Sequence, residues 1–128
     1  MDRHPFRIAV EDDDETAAFA LLHDDVEFRS PVVYRPYQGK PAVAHLLHHA
    51  KATLRGLTYL DEMHGDRSVA LIFRAQVGDK EVEGLDHLTL DEDGRIVGFR
   101  VMIRPLSGLV AVAQEMGARL EDDPVPDA

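Results

Sequence analysis

The chain of 128 residues contains no cysteine and no tryptophan, and only 6% of it is aromatic. Without cysteine there is no disulfide, no thiolate nucleophile and no sulfur-ligated zinc, so the fold must rest on packing alone, a usage that fits a reducing compartment. No apolar run approaches the roughly 20 residues that a membrane helix needs, and Met1-Asp2-Arg3-His4-Pro5 lacks the apolar stretch of a signal peptide. A cytoplasmic protein with no membrane partner is expected. Positive charge is also scarce: 14 Lys and Arg against 24 Asp and Glu give a formal charge of -10. That balance repels phosphate backbones, and the basic residues form no stripe interleaved with aromatics, so no nucleic-acid partner is expected.

With 45% hydrophobic content, the length suits one core and is too short for two. A single domain is expected over 1–120, followed by an acidic, proline-containing flexible tail over 121–128. Pro5 suits the first turn of a short helix over 4–11, where its missing N–H costs little. Any of Asp12, Asp13 and Asp14 can cap a second helix over 15–22. The alternation from Val26 to Val33 reads as a strand that Pro31 confines to an edge or a bend. After the connection 34–40, Val43, Leu46, Leu47, Ala50 and Leu54 recur at helical spacing from Pro41 to the stop at Gly56. Four strands follow in a meander, over 57–63, 68–77, 80–90 and 95–104, with turn residues at His64-Gly65-Asp66, Gly78-Asp79 and Asp91-Glu92-Asp93-Gly94. Leu106, Leu109, Val112, Ala113, Met116 and Leu120 mark a closing amphipathic helix.

This order predicts an α+β fold: three helices in the N-terminal half, a C-terminal helix, and a curved, mostly antiparallel sheet. The stretches Leu21-Leu22-His23-Asp24-Asp25-Val26-Glu27-Phe28-Arg29-Ser30-Pro31, Tyr37-Gln38-Gly39-Lys40-Pro41-Ala42-Val43 and Asp86-His87-Leu88-Thr89-Leu90-Asp91-Glu92-Asp93-Gly94-Arg95-Ile96 carry a family likeness. In that order they resemble the nuclear transport factor two-like, SnoaL-like proteins, and steroid delta-isomerase in particular. The resemblance spans about residues 4 to 105 and implies a cone-shaped fold around one pocket. It does not supply the reaction, because one fold hosts many chemistries.

Carried over residue by residue, the resemblance implies a general-base aspartate where this chain has Ser30. It implies hydroxyl donors on the three helices where this chain has Phe6, Leu22 and Leu47. Asp86 falls where the isomerases keep an aspartic acid protonated by apolar surroundings. The epoxide hydrolases of the superfamily require an arginine where Gly84 stands, and an acid on the last strand, where Phe99, Val101 and Ile103 are the expected inward residues. Steroid isomerisation by the family mechanism is therefore not expected.

If Asp86 points inward, the two-residue period of a strand sends Val82, Gly84, Leu88 and Leu90 the same way and leaves Glu83, Leu85, His87 and Thr89 outside. The expected pocket lining is Phe6, Phe19, Phe28, Val43, Leu47, Phe73, Val82, Leu88, Phe99, Val101 and Ile103, with Asp86 and Ser30 as polar, candidate catalytic points. The alternative is a filled core with Asp86 bonded to backbone. Tyr34, Tyr37, Tyr59, Glu62 and His23 are further candidates for the mouth. Arg35 and Arg104, each before a proline, are either anion-orienting groups there or structural ends.

His45, His48 and His49 have a spacing that can grip a metal. Val43, Leu46, Leu47 and Leu54 lie opposite, so an exposed polar face is expected, with no metal and no cofactor. The outward sheet face, with Ile72, Arg74, Gln76, Leu85, His87, Arg100 and Met102, mixes polar and apolar residues as a homodimer interface does. Two functional readings stay open. One is a protein that binds a small hydrophobic ligand without turnover. The other is a small isomerase, cyclase or hydrolase-type enzyme with Asp86 as acid or hydrogen-bond donor.

Overall fold

The computed structural model of the protein describes residues 2–126. Helix α1 (Pro5–Glu11) starts where Nδ1 of His4 accepts a hydrogen bond from the N–H of Phe6 at 3.1 Å. Among the three aspartates, Asp14 is the cap of helix α2 (Glu15–Ala20), accepting from the N–H of Ala17 at 3.0 Å. Asp13 takes a left-handed φ of 58° in the turn between the helices, a conformation aspartate tolerates better than most residues.

Strand β1 (Leu22–Arg29) corrects two expectations. Leu22 does not belong to the second helix but opens the strand, because its backbone pairs with Ile96 and its side chain is fully buried. The strand also ends at Arg29 rather than running to Val33. The expected connection contains a two-residue strand, β2 (Tyr37–Gln38), which pairs antiparallel with Glu27 and Phe28.

Gly39, at a φ of 94° that favours glycine, turns the chain into helix α3 (Lys40–Thr53). Its buried residues are Ala42, Val43, Leu46, His49 and Thr53. The exposed histidine face therefore needs correction. His48 is solvent-exposed, but His49 turns inward and is 8% exposed.

The meander consists of β3 (Arg55–His64), β4 (Ser68–Val77), β5 (Lys80–Leu90) and β6 (Ile96–Arg104). Gly78-Asp79 makes a two-residue turn that sets Val77 opposite Lys80, and from it Leu71 opposite Asp86. The next turn is held by Asp91, whose Oδ1 accepts from the N–H groups of Asp93 and Arg95 at 2.9 Å each. Helix α4 (Leu106–Asp122) runs beyond 120, so Glu121 and Asp122 are helical rather than part of a flexible tail. Asp123, next in the chain, is held by histidines of α3. Met1, Asp127 and Ala128 lie outside the described residues.

The six strands form one curved, unclosed sheet in the order β2-β1-β6-β5-β4-β3. All neighbours are antiparallel except β1 and β6, which run parallel. The fold is the expected α+β cone, a sheet bent around helices. Leu22, Val26, Val43, Val69, Leu71, Phe73, Leu88 and Ile96 are at most 1% exposed and form the packed floor. Each such side chain contributes about 1.5–3 kcal/mol by leaving water. Among the described residues, no helix is long and apolar enough to cross a membrane.

Candidate functional site

The bend of the sheet leaves a cavity of about 580 Å3 between its concave face and the helices. Phe6 and Phe19 enter from α1 and α2, Leu46 and Leu47 from α3, and Val112, Met116 and Leu120 from α4. Phe28, Phe99, Val101 and Ile103 supply the strand side. Phe99 is the centre of an aromatic group, 5.3 Å from Phe6 edge-on and 5.5 Å from Phe28.

Four of the expected lining residues are not at the cavity wall. Val43, Phe73, Val82 and Leu88 are at most 2% exposed and sit in the packed core. Glycine at position 84 explains part of this: a Cβ there would come within 2.6 Å of Cζ of Phe73 and 2.5 Å of the Met102 carbonyl. The Phe73 ring thus fills the space over Gly84, and that spot cannot hold an arginine either. Conversely, α4 was absent from the expected lining, although its apolar stripe was legible as one buried face.

Asp86 lines the cavity from β5 and is 7% exposed. Its Oδ2 accepts a hydrogen bond at 2.9 Å from the hydroxyl of Tyr59, on β3. Among the described residues, no other protein group bonds this carboxyl. Burial raises its pKa from the ordinary 3.8 to about 7, and the Tyr59 bond, which favours the charged form, only partly offsets that. The Tyr59 hydroxyl is in turn pushed well above its usual range, first by burial and then by the neighbouring Asp86 charge. Near neutral pH the pair therefore presents a carboxyl that can carry its own proton, with Tyr59 holding Oδ2 and leaving Oδ1 for another partner.

A second polar group supports Tyr59 from behind. The guanidinium of Arg7 lies 5.9 Å from the centre of the Tyr59 ring and bonds Oε1 of Glu62 at 3.4 Å. Oε2 of Glu62 accepts from the His4 N–H at 3.0 Å and meets Nε2 of His64 at 2.5 Å. Burial alone would raise the pKa of Glu62, but the bonds from His64, His4 and Arg7 together bring it below the ordinary value.

Ser30 lies at the cavity, but its oxygen accepts from the N–H groups of Val32 at 2.9 Å and Val33 at 3.3 Å. It closes a turn and has no free lone pair with which to act as a base. Of the other mouth candidates, Tyr37 and Tyr59 line the cavity, from the two opposite edges of the sheet. His23 caps its own turn by accepting from the Asp25 N–H, Tyr34 is 96% exposed, and Arg104 pairs with Glu83. None of these three lines the cavity, nor does Arg35 or Glu62. Leu22, buried in the sheet, does not reach it either. The exposed charges that do border it are Glu11, Asp13, Asp14 and Arg55, with the half-buried Lys51 paired to Asp13 across the α2 turn.

No protein-family model matches the sequence, and no curated protein matches it. Solved structures do. A steroid delta-isomerase from Pseudomonas aeruginosa is 39% identical, with 91% of this chain and 87% of that one covered and a TM-score of 0.87. The chain belongs to the nuclear transport factor two-like superfamily. A bacterial protein with a cystatin-like fold from Silicibacter pomeroyi matches this superfamily member at 33% identity, covering 93% of this chain and 84% of that one, with a TM-score of 0.87. A nuclear transport factor two-like protein from Cytophaga hutchinsonii shares the fold at 17% identity, over 79% and 85% of the chains, with a TM-score of 0.61. Within the nuclear transport factor two-like cone of this chain, the cavity is lined by Phe6, Leu47 and the turn-forming Ser30 where the resemblance implies two hydroxyl donors and a base.

Proposed function

We propose that the protein binds a small, mainly apolar molecule in the cavity, with a carbonyl or similar hydrogen-bond acceptor seated against Oδ1 of Asp86. The observation that carries this reading is the pairing of Asp86 with Tyr59: a mainly apolar cavity with one buried carboxyl at its wall, protonated to a large extent near neutral pH, offers a strong donor away from the exposed charges at its border. An acceptor group gains that bond, whereas an anion meets a carboxyl that would have to stay protonated against it.

The test is a titration with a fluorescent aromatic ketone between about pH 5 and pH 8.5. Affinity is expected to fall as the pH rises through about 7, because the proton donated to the ketone is lost. In Asp86→Asn, which keeps a donor at every pH, the fall should vanish. Undetectable binding, or one pH profile shared by both proteins, would remove the reading.

Turnover is the second reading, an isomerase, cyclase or hydrolase-type reaction with Asp86 as acid. It is supported by the 39% identity to a steroid delta-isomerase and by a carboxyl titrating near the operating pH. It needs a base that Ser30 does not provide, so binding is the reading favoured here. Exchange of the bound ketone's α-hydrogens for deuterium, followed by NMR, separates the two: exchange lost in Asp86→Asn establishes turnover.

We further infer a cytoplasmic homodimer paired through the outer sheet face. Leu85 and His87 are half-buried there and Met102 is 52% exposed, a mixed surface of the kind that pairs in two-fold assemblies. A single monomeric species in gel filtration at micromolar concentration would rule the dimer out.

A further inference from the structure

Outside the cavity lining, two histidines of α3 and an aspartate after α4 converge. His45 and His49 are one helical turn apart, so their rings project in the same direction. Nε2 of His49 lies 2.9 Å from Oδ2 of Asp123, and Nε2 of His45 lies 3.6 Å from the same oxygen. The Nε2 atom of His45 also meets the Asp123 carbonyl at 2.8 Å. One atom from each of the three residues lies within 4.8 Å of the others.

We propose that His45, His49 and Asp123 bind a divalent transition-metal ion of the zinc class, which ties the end of α4 to α3. Zinc takes imidazole nitrogen and carboxylate oxygen at about 2.0–2.2 Å in a tetrahedron, which sets its donor atoms roughly 3.3 Å apart. Two of the three separations, 2.9 and 3.6 Å, bracket that spacing, and the third, between the two imidazoles, is at most 4.8 Å, so a movement of up to about 1.5 Å closes the triangle. Asp123 has the freedom for such a shift, since its side chain is 60% exposed just past the last turn of α4. The same exposure leaves a fourth position open to water.

A second observation bears on His49. Its Nδ1 is buried and has no hydrogen-bond partner, so Nε2 is the one nitrogen of that ring turned toward the cluster. A cation on Nε2 requires the neutral tautomer with its proton on Nδ1, so the Nε2 bond to Asp123 gives way to the two ligand bonds of the ion, while Nδ1, unpartnered in either tautomer, loses no bond. His48, by contrast, points to Glu15 at 2.8 Å and lies outside the cluster. Both helices that the ion joins line the cavity, α3 through Leu46 and Leu47 and α4 through Val112, Met116 and Leu120. Binding would fix two of its walls without contributing a ligand to its interior.

The experiment is calorimetric titration of ZnCl2 into the tag-free, EDTA-treated full chain, with MgCl2 as the control for a hard cation that prefers oxygen. The expected result is one zinc per chain with a dissociation constant of about 10 µM or tighter and no response to magnesium. At about a hundred-fold excess over that constant, the melting temperature should rise by roughly 5–10 °C. His45→Ala and Asp123→Asn should each weaken binding at least ten-fold while His48→Ala leaves it unchanged. His49→Ala opens the buried helix face, so the decision rests on the other two ligands. No heat of binding at about 100 µM zinc, or binding that survives both His45→Ala and Asp123→Asn, overturns the proposal.

Discussion

Replacing Asp86 by asparagine should remove a pH dependence of stability that one side chain imposes. The group titrates at about 7 in the folded protein against an ordinary 3.8. Because the folded value is the higher, the native protein holds a proton that the unfolded chain gives up, and stability from this group is complete below about pH 4 and is lost as the pH climbs through 7. Between about pH 5 and pH 8 the loss integrates to about 2–3 kcal/mol, from a shift of roughly three units at about 1.36 kcal/mol each, most of it developing over that interval. Carboxyls such as Glu62, Asp91 and Asp123, whose folded values are depressed, act in the opposite sense. The informative quantity is therefore the difference between two proteins that share them. Urea unfolding followed by circular dichroism at several pH values should show Asp86→Asn gaining about 2–3 kcal/mol on the parent across this range. Asparagine keeps an oxygen for Tyr59 and fills the same volume, so little else changes. Parallel profiles for the two proteins would refute a buried, proton-holding carboxyl, as would a carbon-13 titration of Asp86 near about 4.

Three other substitutions probe the surroundings. Tyr59→Phe removes the one donor that favours the charged form, so the Asp86 titration seen by NMR should move further up, with a stability cost of about 1 kcal/mol; a downward move would contradict the assigned bond. Gly84→Ala forces a methyl against the Met102 carbonyl and the Phe73 ring, and thermal melts should show a loss of about 1–3 kcal/mol, whereas an unchanged melting temperature would mean that the ring has room to move. Glu62→Gln strips the charge that gathers Arg7, His64 and the His4 N–H, and since the folded value of Glu62 lies below 4.5 its contribution is present above that pH and fades as the pH falls through the folded value. The variant should therefore be about 1–3 kcal/mol less stable near pH 7 and converge on the parent in acid, and a pH-independent deficit would count against this account.

Much of the fold was legible because its signals are local. Gly78-Asp79 determines a two-residue turn, and from it every partner along β4 and β5 follows, including the inward direction of Asp86. Tyr59 was not legible to the same degree. Strand β3 shifts register twice against β4, between Arg55 and Thr58 and between Tyr59 and Asp61, and each irregularity resets the alternation of faces. Tyr59 and Glu62, an odd and an even position, can then face the same side. Leu22 misled for another reason: its apolar type suits a helix end and a strand start equally, and the pairing that decides between them is with Ile96, far along the chain. On α3, the buried positions 42, 46, 49 and 53 follow helical spacing well. Histidine at 49 hid that stripe, because Val43, Leu46, Leu47 and Leu54 read as the face opposite it, whereas 49 follows 46 by three residues on the same buried side.

The parallel seam between β1 and β6 has a consequence for how the cavity comes into being. Asp86, Tyr59 and Phe99 belong to the hairpin-connected strands, which can assemble from near neighbours, while Phe6, Phe19 and Phe28 arrive with the other end of the chain and are held through that long-range pairing and other contacts distant in sequence, such as those of His4 and Arg7 with Glu62. A receptive hollow thus exists only after the two ends have met, late in folding if local contacts form first. A molecule captured there would leave the refolding rate as it was and slow unfolding instead, acting as a latch on a door that the chain has already shut.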